Sequence, residues 1–270
     1  MLRWCAYCQE FQGEVAPFDD LNTTHGMCPS CKAKGYGRLD EEMDNSKRLR
    51  EIQEQLRIAG QRGDMEAAPQ IVRTALAAGL RPVDILIGLI TPLLYLIGSE
   101  WESGIITVAD EHRFTRFCEC VFELIKLEVK AAGGPALGMR HAPVFLMAAR
   151  GNHHTLGVRM LALWLKSKGV ETIEFDQPPS PEDLVVRVAE SRPAAIMISV
   201  SLDRQQSYVY RIAQRIAMLA EPRPILFVGG YAIKRHLIPP IPGTIFLESM
   251  TGLNGLIANI VDLAVEPLSV

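Results

Sequence analysis

The chain has no surplus of positive charge. Its 28 lysines and arginines stand against 31 aspartates and glutamates, a net charge of -3. That balance gives no electrostatic case for a nucleic-acid partner, because phosphate binding draws on basic excess. A leader is also missing: MLRWCAYCQEF opens without an apolar h-region or a cleavage pattern, so no secretory signal is expected. Long hydrophobic runs are absent as well. The longest, Ile85 to Gly98, covers about 14 residues and contains Pro92, short of the roughly 20 needed to span a bilayer. Together these absences point to a cytoplasmic protein without a membrane partner. In that reducing compartment six cysteines do not form a disulfide framework, and their spacing reads as metal or thiol chemistry.

What is present is 270 residues with 48% hydrophobic content, enough for one large domain or two to three small ones. Three compositional zones follow one another. Residues 1–40 hold four of the six cysteines and little helical periodicity, a segment too small to keep a core unaided. Residues 45–133 read as a four-helix bundle, with the segments SKRLREIQEQLRIAG, MEAAPQIVRTALAAG, RPVDILIGLITPLLYLIGSEW and TVADEHRFTRFCECVFELIKLEVKAAGG separated by turns. Residues 140–270 alternate apolar runs (APVFLMAA, VETIEFD, AAIMISVS, PILFVGG, TIFLES) with amphipathic stretches. This pattern predicts a five-stranded parallel α/β domain of flavodoxin-like strand order. GGPALGMRH, 133–141, reads as the linker.

Cys5-x2-Cys8 and Cys28-x2-Cys31 place two pairs of thiols at the spacing of a zinc knuckle site. Four sulfur ligands with no open position imply a structural Zn2+, whose binding energy would replace the missing core. Free thiols or a redox pair are the bland alternative, and His25 is a conceivable substitute ligand. Cys118 and Cys120, two apart on one helix, point in different directions and read as packing residues.

Ligands of an open parallel sheet bind outside the carboxyl ends of its strands, where strand order reverses. That rule selects three loops: GNHHTLG (151–157), SVSLD (199–203) and VGGY (228–231). The first holds His153 and His154 just ahead of a helix that Thr155 or His154 would cap, with Gly157 leaving room for a bulky ligand. Taken singly, a histidine in such a loop is usually only solvated. Serines after one strand and a glycine pair after the next add a hydroxyl contact and an open floor.

Asn152-His153-His154-Thr155-Leu156-Gly157, then Ser199-Val200-Ser201, then Gly229-Gly230 resemble the Asp-x-His-x-x-Gly, Ser-x-Leu and Gly-Gly signatures of cobalamin-binding proteins. The resemblance makes His154 the lower axial ligand of cobalt, with Ser199 against the displaced nucleotide base and Gly229 and Gly230 beside its tail. Asn152 stands where that family has Asp, and Ser201 where it has Leu. In the helical zone, Trp101, nine residues, then Glu111-His112 matches the W-x9-EH pattern of B12-dependent photoreceptors of the CarH type. The resemblance implies that Trp101 lids the upper axial group, that Glu111 accepts hydrogen bonds from the ribose of adenosylcobalamin, and that His112 supports the pocket or approaches cobalt. In isolation, the same residues read as an interfacial Trp and a helix-capping Glu. Glu102 occupies the place of a histidine in that family, and a zinc ribbon replaces its helix-turn-helix domain.

The expectation is therefore a non-enzymatic cobalamin sensor that regulates a protein partner or its own association, with DNA contact through the ribbon left open. The alternative is a corrinoid carrier of a methyltransferase system. A storage or delivery protein comes third, and a mutase is disfavoured by the absence of a substrate barrel.

Overall fold

The computed structural model describes residues 1–17, 20–35, 39–131 and 142–249, with only the backbone for 39–43. The linker expected at 133–141 lies outside the described residues. The chain divides into two compact units, Met1–Gly133 and Gly134–Val270.

The first unit opens with a small sheet of order β2-β1-β3, built from β1 (Leu2–Cys5), β2 (Phe11–Glu14) and β3 (Thr23–Gly26). A five-residue helix, Pro29–Ala33, follows. Four longer helical runs come next: Leu39–Arg62, Ala68–Ala77, Pro82–Glu102 and Val108–Ala131. Their buried faces follow helical spacing. Leu49, Ile52, Leu56 and Ala59 line the first run, and Phe114, Phe117, Cys118, Val121, Phe122 and Ile125 line the last. Cys118 is thus a core residue, and burial pushes its thiol pKa up.

The segment read as the third helix is one helix, Pro82–Glu102, and it runs through Pro92. Leu86–Ile90 form a π-turn within it. Proline has no N–H and its ring collides with the carbonyl four residues back, so regular α-helix cannot pass Pro92. The extra residue of a π-turn absorbs the mismatch. The Thr91 backbone N–H and hydroxyl both donate to Leu86 O, the latter at 3.0 Å. By length and composition this helix is apolar enough to cross a membrane, but 61% of its most apolar stretch is buried within the protein. Its hydrophobicity is that of a core helix, with Ile85, Leu86, Leu89 and Ile90 at most 1% exposed.

The second unit is the predicted five-stranded parallel sheet, order β5-β4-β6-β7-β8, made of β4 (Val144–Ala148), β5 (Thr172–Phe175), β6 (Ala195–Ser199), β7 (Ile225–Gly229) and β8 (Ile245–Leu247). β4 is buried at all five positions, as a central strand covered on both faces must be. The helix Gln206–Ala217 contributes Tyr208, Val209, Ile212, Ala213 and Ile216 to the core, an i, i+4 stripe lying on Ile196, Ile198 and Val228. Ser180 caps the helix Pro181–Ser191, its Oγ accepting from Asp183 N at 3.0 Å with Pro181 in the first turn. Chain order reverses between β4 and β6, which puts the crevice at their carboxyl ends.

Candidate functional site

Sheet register builds one group of candidate residues. Ala148 pairs with Ser199, Ser199 with Gly229, and Gly229 with Leu247, so the three loops chosen from the sequence leave the sheet side by side. Hydrogen bonds then tie the loops together. Asn152, only 8% exposed, donates through Nδ2 to Ser199 O at 3.1 Å, and its Oδ1 accepts from His154 N at 3.0 Å. Val200 N donates to Gly229 O at 2.8 Å, and Ala232 N donates to Val200 O at 3.0 Å.

The Asn152 amide therefore acts on the loop's backbone, and the His154 ring has no hydrogen bond among the described residues. An aspartate there would lack the donor that Ser199 O receives. Thr155 sits at the N-cap position of the helix Leu156–Ser167, but its side chain makes no capping bond; the Asn152 carbonyl oxygen shapes that turn instead. His153 and His154 are exposed above the sheet edge, and a Cβ on Gly157 would meet nothing within 4 Å, so the first turn of that helix is open.

Gly230 is the tightest point. Its φ of 103° is one that side chains rarely adopt, and a Cβ there would stand 2.5 Å from Val200 O and 2.9 Å from Ser199 Oγ. Only glycine lets these two loops approach so closely. Ser201 is held by a residue that the sequence reading missed. Gln205, 2% exposed, accepts through Oε1 from Ser201 N at 2.8 Å and Leu202 N at 3.1 Å. Its Nε2 is buried without a partner among the described residues. The signal was present as a glutamine three residues into a short helical turn, the capping-box spacing.

A separate group of candidate residues lies at one end of the helical unit. Trp101 ends the Pro82–Glu102 helix, and Glu111 and His112 stand in the first turn of Val108–Ala131. Between them Gly104 takes a φ of 70°, and Ile105 N donates to Glu100 O at 2.8 Å. Thr107 opens the second helix: its Oγ1 accepts from Asp110 N at 3.2 Å, while its own N–H and hydroxyl donate to Asp110 Oδ2. Those two Thr107 donors hold the Asp110 carboxyl below its usual pKa. Glu111 accepts from Thr115 Oγ1 at 2.9 Å through one oxygen, and its other oxygen lies 3.6 Å from His112 Nε2. Trp101, Ile105 and Val108 are 41%, 73% and 51% exposed, an apolar turn open at this end of the unit. The turn brings the W-x9-EH residues to one end, with Glu111 and His112 in contact.

The cysteine cluster is a third group. Cys5, Cys8, Cys28 and Cys31 present sulfurs that all lie within 4.8 Å of one another, Cys8 and Cys28 at 3.7 Å. Tetrahedral zinc with bonds of about 2.3 Å needs sulfurs roughly 3.8 Å apart. The donor set therefore fits a metal, and His25, on β3, stands outside it. Cys28 N donates to Cys5 Sγ and Cys31 N to Cys28 Sγ, each at 3.4 Å, the knuckle arrangement expected of paired thiolates. Burial opposes ionisation of Cys5, but backbone N–H groups of Cys8, Cys28 and Tyr7 overcome it and bring the thiol down to about 7. Burial and the neighbouring sulfurs push Cys8 and Cys31 up. One thiolate forms readily, and a bound cation would favour the others.

Comparison with known proteins gives two family matches. Residues 52–126 match one form of the B12 binding domain and residues 143–237 another. The HTH-type transcriptional repressor CarH of Myxococcus xanthus is 29% identical over 184 residues, which cover 68% of this chain and 58% of that protein. The chain thus spans less than two thirds of that relative's length. Among solved structures, the Methanosarcina barkeri monomethylamine corrinoid protein superposes with a TM-score of 0.62 at 17% identity, over 80% of this chain and 97% of its own, a likeness of fold. With both forms of the B12 binding domain matched in chain order and together spanning more than half its length, the chain is a cobalamin-binding protein similar to CarH.

Proposed function

We propose that the protein is a cobalamin-dependent sensor and regulator that takes adenosylcobalamin, with His154 as the lower axial ligand and light or cofactor state as its input. The observation that carries this reading is the row Ala148, Ser199, Gly229 at the carboxyl edge of the sheet, with exposed His154 above it. It acts by binding and not as an enzyme; the relatives that match it are named as a repressor and a corrinoid protein.

Adenosylcobalamin, when bound, supplies a cobalt–carbon bond that light can break. The protein's part is to hold and shield. His154, on a loop fixed through its backbone N–H by Asn152, offers a neutral imidazole nitrogen to the lower side. Ser199 Oγ and the close approach at Gly230 border the place of the nucleotide tail, while Gln205 Nε2 offers a buried donor nearby. On the upper side, the Trp101 ring excludes water, and Glu111, already anchored by Thr115, accepts from ribose hydroxyls. Signalling then follows from a change in helical packing, self-association or partner binding that favours one state. Zinc at the four cysteines completes the reading, with the ribbon as a docking element for a protein partner or DNA in a cytoplasmic protein. The W-x9-EH residues favour this over a corrinoid carrier.

Absorption spectra with adenosylcobalamin in the dark and after green light test the proposal. The expected result is a base-off, His-on spectrum that converts with light alongside a change in size or partner binding, and His154→Ala should abolish the His-on form. Stable binding without any response to light, equal for methylcobalamin, would favour the carrier.

A further inference from the structure

Trp4 directly precedes the first cysteine of the cluster and is fully buried. Its ring fills a hollow over Gly88 in the π-turn of the Pro82–Glu102 helix: a Cβ on Gly88 would stand 2.4 Å from Trp4 Cζ2 and 2.9 Å from Phe11 Cδ2. Trp4 and Phe11 pack with ring centroids 5.1 Å apart. The same helix supplies Asp84, 2% exposed, whose Oδ2 accepts from Phe11 N at 3.1 Å and from Arg81 Nε at 2.7 Å. Arg81 reaches on to Glu10 at 2.9 Å, and Glu10 O accepts from Cys5 N to close the knuckle. The loop bearing Cys5 and Cys8 is therefore fastened to one helix on both of its flanks.

That helix ends at Trp101, about 20 Å beyond Gly88 at 1.5 Å per residue. A π-turn is a weak point in a helix, and here its outer face is filled by side chains from the cysteine segment. We propose that Trp4 is a positioning residue through which metal occupancy of the cysteine cluster holds the Pro82–Glu102 helix, and with it Trp101, in place. The metal site is then an input to the cofactor site, because a loosened knuckle withdraws the Trp4 ring from Gly88 and frees the helix to shift or fray. The link to cofactor rests on the proposed function; the link from metal to helix does not.

Amide hydrogen exchange on the full chain without cobalamin, zinc-loaded and metal-free, tests the mechanical claim. Metal removal should speed exchange over residues 86–103 about tenfold, more than over 114–125, and leave 142–249 unchanged. Trp4→Ala, with all four cysteines intact and zinc bound, should show the fast exchange already, with little added by metal removal. Should Trp4→Ala fail to fold, Trp4→Phe keeps an aromatic ring in the hollow and should give intermediate exchange. Faster exchange confined to residues 1–35, or rising alike across 44–131, would overturn the proposal, as would zinc-bound Trp4→Phe exchanging at the wild-type rate.

A second arm measures adenosylcobalamin affinity in both metal states, where about a tenfold loss on metal removal is expected. Affinity unchanged by metal would cut the link to the cofactor site. Absence of cobalamin binding in both states would instead remove the functional reading and leave the exchange result standing.

Discussion

The two places that hold the proposed cofactor residues are built in opposite ways. At the sheet edge, positions are set by backbone register and locked by buried amides: Asn152 to Ser199, Gln205 to Ser201 and Leu202, and Gly230 against Val200. At the end of the helical unit, Trp101 is 41% exposed and the fixed points are a capped turn and one Glu111–Thr115 hydrogen bond. A site pinned by buried polar groups is costly to alter, whereas one on an exposed turn can change function with little effect on stability.

Substitutions sharpen that contrast. The largest effect belongs to neither place: with zinc at the four cysteines as proposed, metal removal or Cys28→Ser takes away the binding energy on which the fold of residues 1–35 depends, about 10 kcal/mol in isolated zinc-finger peptides. Limited proteolysis of residues 1–35 should speed sharply while the helices of the same unit and the sheet unit stay folded. Gly230→Ala comes next, costing roughly 3–5 kcal/mol from a positive-φ position and a backbone clash together, to be read by urea denaturation. Asn152→Ala should cost about 1–3 kcal/mol, since Ser199 O loses a donor and His154 N an acceptor; Gln205→Ala should fall in the same range. Trp101→Ala, which gives up the buried part of a ring 41% exposed, should cost about 1–2 kcal/mol, and His154→Ala, on the surface of its loop, within roughly 0.5 kcal/mol. Even so, His154→Ala should change the spectrum of bound cobalamin and Trp101→Ala its upper-ligand preference. Should Trp101→Ala unfold the helical unit as readily as Gly230→Ala unfolds the sheet, the contrast would be broken.

Much of this was readable along the chain. The five apolar runs are the five strands, because a central parallel strand buried on both faces has nowhere to put a polar residue, as Val144–Ala148 illustrates. The cysteine pairs were legible from spacing, since a knuckle is local. What escaped depends on contacts between distant segments. The helix that spans Pro92 is legible in the sequence; the π-turn at Leu86–Ile90, with the Thr91 N–H and hydroxyl both on Leu86 O, is not. Asn152 reads as a neutral replacement beside a histidine ring; its actual partners are a carbonyl 47 positions away and a backbone N–H. Trp4 directly precedes Cys5, and nothing in residues 1–40 announces that it fills a hollow over Gly88 in a distant helix.

The bond from Phe11 N to Asp84 spans 73 positions, and this has a consequence for the order of events in folding. Contacts so far apart along the chain carry a large loop-closure cost and form late. During synthesis the cysteine segment emerges before the helix it packs on, and Trp4 has no hollow to enter until Gly88 has been made. The cysteine segment is thus among the last parts of its unit to settle, and a nascent protein stalled before residue 88 would carry an indole with nowhere to go.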